Sequence, residues 1–305
     1  MQRESLIAEI GKLKEKHQAV ILAHNYEPPE IQDIADITGD SLGLSIQAAE
    51  TDARVIVLCG DLFMAESAAI LSPDKQVILP RLECGCGLAD MATPEQLLAA
   101  RKQHPDAVVV TYVNSSAAVK AESDVCCTSG NAVNVVNSLP ADQEILFVPD
   151  RNLGTYVRQQ TGRKIILWDG CCPTHDAIRA KDILKARENH PGAKVIVHPE
   201  CRPEVTELAD AVCSTGGMFT AVEKSRGSEF IIATESGMIY PLEKAHPECR
   251  FHPVTETMIC PDMKKISLED ILLSLKNMEP VVTVDAEITR QAKKALERML
   301  AIPRN

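Results

Sequence analysis

Three cysteines recur at equivalent positions of an internal repeat. Cys86, Cys172 and Cys260 advance along the chain by 86 and then 88 residues, and each follows an acidic landmark residue by 22 to 25 positions. One thiolate from each of three repeats would suit a cubane 4Fe–4S cluster with one iron left open. Zinc with three thiolates and a water is an alternative, and ordinary buried thiols are a third interpretation.

The middle cysteine has a neighbour of the same type. In the segment DGCCPTHD, Cys171 and Cys172 are adjacent and His175 follows three residues after the second. The repeat spacing fits the two cysteines almost equally well, because corresponding intervals in different repeats differ by more than one residue. The Cys-Pro step that Cys172 shares with Cys260 favours Cys172.

Polar side chains end the first apolar segment of each repeat. They occupy that position and the position two residues later: His24 and Tyr26, Tyr112 and Asn114, His198 and Glu200. All six can hydrogen-bond or transfer protons. Because ligands of parallel α/β sheets bind outside the carboxyl ends of the strands, these residues are candidates for one shared site.

A hydroxyl residue follows each of these segments by 17 positions. Ser41, Ser129 and Thr215 each stand where a helix is expected to begin. Hydroxyls and free backbone N–H groups at a helix N-terminus form an anion site, although a single Ser or Thr there is most simply a helix cap. Three in register favour a ligand with several negative charges.

The repeat predicts three α/β units. Each reads as a charged helix, a Val/Ile-rich strand, a polar turn, a helix and two further apolar strands, a pattern typical of parallel sheets covered on both faces. We predict three α/β/α three-layer domains with short parallel sheets, related by a pseudo-threefold axis that carries the site. Their expected limits are 1–91, 92–175 and 176–265, with C-terminal helices at 266–305 bracing the first domain.

The composition excludes several function classes. The 305 residues carry a net charge of −11, which argues against a nucleic-acid or anionic-membrane surface. No apolar run approaches the length that spans a bilayer, and the N-terminal segment reads as a charged amphipathic helix, not a signal peptide. Eleven cysteines, an odd number, favour a reducing compartment, so we expect a cytoplasmic location.

Several long motifs, in order and covering nearly the whole chain, resemble the quinolinate synthase family. They are AHNYEPPEIQDIAD, GLADM, TYVNSSAAVKAESDVCCTS, WDGCCPTH, VHPEC, STGGM, ATESGMIYPL and ICPDMK. The resemblance implies condensation of iminoaspartate with dihydroxyacetone phosphate to give quinolinate, phosphate and water. It also implies a 4Fe–4S cluster held by Cys86, Cys172 and Cys260, and the family's CxxH spacing to His175 again selects Cys172.

The resemblance further implies a set of substrate-contacting residues. These are His24, Tyr26, Ser41, Tyr112, Asn114, Ser129, His175, His198, Glu200, Ser214 and Thr215. Our hypothesis for catalysis makes Glu200 the main general base and acid, helped by Tyr26, His24, His198 and His175. The implied partners are small-molecule substrates and a functional link to an L-aspartate oxidase, with no nucleic acid and no membrane.

The remaining cysteines are interpreted as core thiols, except for two, and the remaining histidines as residues that end helices. Cys84 and Cys171 lie within two residues of proposed ligands and could compete for iron in a damaged cluster. His17, His104 and His190 end the opening helices, where a role at the negative end of the helix dipole is expected.

Two other functions compete with the synthase. A different cluster-dependent dehydratase would use the same open iron and anion sites on another polyacid. A non-enzymatic electron-transfer or sensing module would normally close all four ligand positions, and it leaves the His, Tyr, Asn and Glu sets unexplained.

Overall fold

The computed structural model describes residues 3–225 and 227–304, and its secondary structure repeats three times. The first unit comprises α1 (Arg3–His17), β1 (Ala19–His24), α2 (Pro29–Ile34), β2 (Ile37–Gly39), α3 (Ser41–Glu50), β3 (Val55–Cys59), α4 (Leu62–Leu71) and β4 (Gln76–Ile78). The second comprises α5 (Pro94–Gln103), β5 (Val108–Tyr112), α6 (Ala117–Ala121), β6 (Val125–Cys127), α7 (Ala132–Asn137), β7 (Ile145–Val148), α8 (Arg151–Thr161) and β8 (Ile165–Leu167).

The third unit and the C-terminal helices complete the chain. The third unit comprises α9 (Pro173–Asp176), α10 (Ala180–Asn189), β9 (Lys194–Val197), α11 (Pro203–Thr206), β10 (Ala211–Val212), α12 (Thr215–Lys224), β11 (Glu229–Ala233), α13 (Ile239–Ala245) and β12 (Arg250–Pro253). Single 3-10 turns lie at Ala89–Met91, Ser236–Met238 and Asp262–Lys264, and the last helices are α14 (Leu268–Asn277) and α15 (Ala286–Leu300).

Each unit builds one four-stranded parallel sheet. The strand orders are β2-β1-β3-β4, β6-β5-β7-β8 and β10-β9-β11-β12, so the same topology occurs three times. This confirms the predicted fold class of three α/β units with short parallel sheets. The edge strands β2, β6 and β10 were not expected, because two or three residues are too few to display a periodic pattern.

The central strands are apolar because helices cover both faces of each sheet. All five residues of β3 are buried, and in β1 Ile21 and Leu22 have no exposed surface. A fully buried aliphatic side chain stabilises the fold by about 1.5–3 kcal/mol. With so few aromatic residues, this aliphatic burial is the main source of core stability.

The two C-terminal helices join different parts of the molecule. Helix α14 packs on α1, as expected for bracing of the first unit, whereas α15 packs on α6 and β6 of the second unit as well as on α4. Its buried face consists of Ala292, Ala295, Leu296 and Met299. The limits of the domains stay predictions, with α15 spanning the junction of the first two units.

Within residues 3–225 and 227–304, no helix is both long enough and apolar enough to cross a membrane.

Close packing of α8 on its sheet yields a stability prediction. A Cβ at Gly154 would lie 2.6 Å from Leu167 Cδ2 and 2.9 Å from Phe147 Cδ1, so Gly154→Ala should lower the free energy of unfolding by about 1–3 kcal/mol. Gly11→Ala is the matched control, because nothing lies within 4 Å of its added methyl and helix propensity should raise stability by about 0.5–1 kcal/mol. Urea unfolding measures both, and a Gly154 variant as stable as the native chain would contradict this packing.

Candidate active site

Residues from all three units line one central cavity. It contains ten of the eleven predicted substrate residues together with all three predicted cysteine ligands: His24, Tyr26, Ser41, Tyr112, Asn114, Ser129, His175, His198, Glu200, Thr215, Cys86, Cys172 and Cys260. The three sheets therefore direct their carboxyl ends at the same space. Ser214 does not line this cavity: its hydroxyl caps α12 through Gly217 N and lies 3.4 Å from Asp40 Oδ2.

The cysteines that line the cavity are Cys86, Cys260 and, of the adjacent pair, Cys172, which the Cys-Pro step had favoured. Cys84 is fully buried elsewhere, and Cys171 lies outside the cavity with its N–H directed at the Met91 sulfur. Burial raises the pKa of the Cys86 and Cys172 thiols well above the ordinary value and that of Cys260 to about 11. Thiols in such a setting ionise when a metal centre supplies positive charge, so three of them without a fourth suit an open metal centre.

A buried carboxylate stands behind each of these cysteines. Asp150 Oδ2 accepts the backbone N–H of Cys172 at 2.9 Å, and Glu235 Oε1 accepts that of Cys260 at 3.2 Å. In the first unit the Asp61 carboxyl group lies beside the Cys86 side chain, and its Oδ1 has no hydrogen-bond partner. The acids that marked the repeat register therefore hold the cysteine backbone in the second and third units but not in the first.

Two strand-end histidines are oriented by the same backbone contact. The N–H of Tyr26 donates to His24 Nδ1 at 3.2 Å, and the N–H of Glu200 donates to His198 Nδ1 at 3.3 Å. In each ring Nε2 therefore carries the proton, and His198 Nε2 lies 3.2 Å from Ser129 Oγ. Burial lowers the pKa of His24 to about 4 and also lowers that of His198, so both rings are neutral at neutral pH.

Glu200 is the buried charge at the centre of the site. Its Oε2 lies 2.9 Å from His175 Nδ1 and 3.3 Å from His198 Nδ1, while Oε1 has no hydrogen-bond partner. Burial opposes ionisation, but His175, whose Nδ1 faces Oε2, outweighs it and holds the pKa of Glu200 below its usual range. The carboxylate is thus ionised, with one oxygen free to accept a proton or a ligand N–H or O–H.

A chain of hydrogen bonds connects this centre to Tyr26. The Tyr26 hydroxyl lies 2.5 Å from Thr234 Oγ1, and Thr234 Oγ1 lies 2.8 Å from His175 Nε2. Burial and the charge of Glu200 raise the pKa of Tyr26, so its hydroxyl keeps its proton. Thr234 was missed in the sequence, where its only signal is a hydroxyl at a position that Gly60 and Pro149 occupy in the other units.

The hydroxyl residues differ between units. Ser41 and Thr215 are the first residues of the ten-residue helices α3 and α12, whose caps are Asp40 and Ser214. Ser129 instead lies in a turn before α7, so the expectation that it opens a helix is wrong. The reason is Asn131: its Oδ1 accepts the Thr128 N–H, and its Nδ2 donates to the carbonyls of Met299 and Ile302 at the end of α15, which delays the start of the helix.

Arg304 is a second residue that the sequence did not reveal. Its guanidinium forms a two-pronged ion pair with Asp40, with Nη2 to Oδ1 at 2.8 Å. A Cβ added at Gly43, Gly130 or Gly216 would lie about 3 Å from this guanidinium, so one glycine from each unit makes room for it. Arg304 lies outside the repeat, and no local pattern connects it to a residue 264 positions earlier.

The chain is similar over its whole length to proteins of one function. The family described as "Quinolinate synthetase A protein" matches residues 8–301. Proteins named quinolinate synthase from Geotalea uraniireducens and Geobacter metallireducens are each 54% identical over 305 residues, which is all of both chains. One from Methanosarcina barkeri is 55% identical over 302 residues, covering 99% of each chain.

Loss of the Arg304 guanidinium should leave the Asp40 carboxylate unpaired. Asp40 is 7% exposed, but Arg304 is 43% exposed and partly screened, so Arg304→Gln should cost about 1–2 kcal/mol of unfolding free energy at pH 7. Arg304 and the Gly43 N–H overcome burial and lower the pKa of Asp40. A depressed carboxyl pKa stabilises above its unfolded value, so the difference should shrink as pH falls below about 4.

The exposed pair Arg290–Glu287 provides the control for this experiment. Arg290→Gln should leave the unfolding free energy nearly unchanged, because solvent screens that pair. Denaturant unfolding of both variants between pH 3 and pH 7 makes the comparison. Equal effects at all pH values would remove the special role of Arg304.

Proposed function

The chain belongs to the quinolinate synthase family, and from that premise we propose how the residues of its central cavity divide the reaction. The reaction condenses iminoaspartate with dihydroxyacetone phosphate and releases quinolinate, phosphate and water, in de novo NAD biosynthesis. It requires loss of phosphate, tautomerisation, ring closure and loss of water. Each of these steps moves protons, so several acid–base groups must face the same space.

The proposal rests on one observation above all, the unpartnered Oε1 of Glu200 in the cavity. An ionised carboxylate oxygen that is buried and has no donor is costly, and it is tolerated where a ligand completes its bonds. We assign Glu200 Oε1 as the general base that takes a proton from the substrate. His175, whose Nδ1 lies 2.9 Å from Oε2, stabilises the ionised form before transfer.

Tyr26 is assigned as a proton donor. Its hydroxyl is linked to His175 through Thr234, so a proton given to the substrate can be replaced along this chain. His24 and His198, held neutral by burial, present Nε2–H groups as hydrogen-bond donors to substrate oxygens. We propose that the acid–base set consists of Tyr26, His24, His175, His198 and Glu200.

The hydroxyl and amide residues are assigned to the anionic groups of the substrates. Ser41 and Thr215 stand at the N-termini of α3 and α12, where free N–H groups and the helix dipole favour a carboxylate or phosphate. Ser129, Tyr112 and Asn114 also line the cavity and are assigned as further hydrogen-bond partners of these anionic groups. Ser214 supports Thr215 by capping its helix, which is a smaller role than direct substrate contact.

Cys86, Cys172 and Cys260 are proposed to hold a 4Fe–4S cluster. One thiol comes from each unit, and of the described cysteines these three line the cavity. When bound, such a cluster supplies Lewis acidity at its open iron, which eases loss of a hydroxyl from the substrate. Asp150 and Glu235 hold the backbone of Cys172 and Cys260 in place for it.

A single-ion site is the second candidate for the metal centre. Cys172 Sγ lies 3.1 Å from His175 Nδ1, and these two residues with Glu200 form a set that could hold one ion such as zinc. Such a site would use Glu200 and His175 as ligands and leave no free base. Iron and acid-labile sulfide analysis of anaerobically purified protein separates the two candidates.

Location and metabolic partner belong to the same proposal. Open iron and eleven unpaired thiols require a reducing compartment, which favours the cytoplasm. Iminoaspartate hydrolyses readily in water, so we propose a functional link to an L-aspartate oxidase that forms it. Anaerobically reconstituted protein, supplied with L-aspartate, such an oxidase and dihydroxyacetone phosphate, should make quinolinate; none formed would favour a different dehydratase.

Glu200→Gln should separate binding from proton transfer. The amide keeps the size of the carboxylate but cannot act as a base, so kcat should fall by about 10²–10⁴-fold while iron and sulfide contents stay native. Glu204→Gln, four residues further on at the exposed start of α11, is the control and should retain full activity. Native kcat in Glu200→Gln would rule out this assignment.

Single Cys→Ser changes test the cluster ligands. Serine at 86, 172 or 260 should lower bound iron and sulfide and the visible absorption of anaerobically reconstituted protein. Cys171→Ser is the matched control, since its side chain lies outside the cavity beside Cys172, and it should keep a native cluster content. A full cluster in any of the first three variants would remove that cysteine from the ligand set.

A further inference from the structure

A second group of metal-ligand side chains lies at the far end of the third sheet. His190 follows α10, Glu229 opens β11, and His252 lies in β12. Strand β11 runs from Glu229 to Ala233 and only then reaches Thr234 and the central cavity, so this group stands at the opposite, amino end. The reaction proposed above uses none of the three residues.

Their ligand atoms already face one another. His252 Nε2 lies 2.9 Å and His190 Nδ1 lies 3.5 Å from the same carboxylate oxygen, Glu229 Oε1. All three atoms lie within 4.8 Å of one another, and they must approach to roughly 3.5 Å to surround a tetrahedral zinc with bonds of about 2.1 Å. The side chains are 25–31% exposed, so an ion can enter from solvent.

The two rings stack on each other. Their centroids lie 3.5 Å apart with an interplanar angle of 16°. The lone pair of an imidazole nitrogen lies in the plane of its ring, so the rings turn out of this stack when both nitrogens bind one ion. Arg250 approaches the other oxygen of Glu229, with Nη2 3.4 Å from Oε2, and leaves Oε1 to the histidines.

The second unit shows the same corner without the third ligand. There His104 Nδ1 lies 3.7 Å from Glu144, and Lys164 takes the place of Arg250 with its Nζ 2.7 Å from Glu144. The strand position of His252, which pairs with Ile231, is held by Ile166, which pairs with Leu146. The His–Glu pair is thus part of the repeated scaffold, and the added imidazole is specific to the third unit.

We propose that His190, Glu229 and His252 bind one divalent cation of the zinc class. Two imidazole nitrogens and one carboxylate oxygen are ligands that zinc favours, and a water completes a tetrahedral shell. The ion ties the end of α10 to β11 and β12. Its role is to stabilise the third unit, independently of the central cavity.

Zinc stoichiometry of the full chain tests the site. Wild type, His252→Ile, Glu229→Gln and His104→Ala are equilibrated with Zn²⁺, desalted and analysed by mass spectrometry of the metal. His252→Ile uses the residue that the chain itself carries at the equivalent strand position, so it should fold. Zinc held at the cavity cysteines is common to all variants and cancels in the differences.

Wild type and His104→Ala should each bind about one zinc more than His252→Ile and Glu229→Gln. Zinc should also raise the thermal unfolding midpoint of the first two by several degrees more than that of the last two, because only a folded site binds the ion. Quinolinate formation should be unaffected by His252→Ile. Equal zinc contents in wild type and His252→Ile, or an equal loss in His104→Ala, would overturn the proposal.

Discussion

The interaction on which the site depends is the burial of the Glu200 carboxylate between histidines from different parts of the chain. A charge with 3% of its surface exposed is tolerated only where donors surround it. His198 comes from the same strand end, His175 follows the sheet of the second unit, and the chain from His175 continues through Thr234 to Tyr26 of the first unit. The bond from Thr234 to Tyr26 joins the third unit to the first, so this chain of hydrogen bonds depends on how those two sheets pack.

The repeated parallel sheet brings the groups of the site together. Parallel strands bring their carboxyl ends together, and each unit contributes a polar strand end, a hydroxyl and a cysteine supported by an acid. The acid accepts the backbone N–H of the cysteine in the second and third units, and it lies beside the cysteine side chain in the first. Helix α15 and Arg304 then close the junction where Asp40 and the glycines of the three units meet.

Differences between the units carry as much information as their likeness. Thr234 stands where the other units have Gly60 and Pro149, and it completes the proton path. His252 stands where the second unit has Ile166, and it completes the proposed zinc site. In both cases a polar residue replaces one without a polar side chain at a buried or half-buried position, which a folding requirement alone would not favour.

Much of the fold could be predicted, because equivalent residues of the repeat recur at matched intervals along the sequence. Apolar strands, intervening helices and landmark residues at matched intervals predict three parallel sheets and the convergence of their ends. The short strands β2, β6 and β10 escaped notice because two or three residues have no measurable period. The start of α7 was placed too early because Asn131 is committed to carbonyls more than 160 residues away.

By itself the sequence determined the register, and with it the residue types that face the centre, since strand and helix periodicity are local properties. The tertiary structure alone decided which Glu200 oxygen is left unpartnered and that Arg304 reaches Asp40. These depend on side-chain direction and on contacts between segments that no spacing rule connects. The repeat spacing fits Cys171 and Cys172 almost equally well, yet in the structure Cys172 lines the cavity and Cys171 does not.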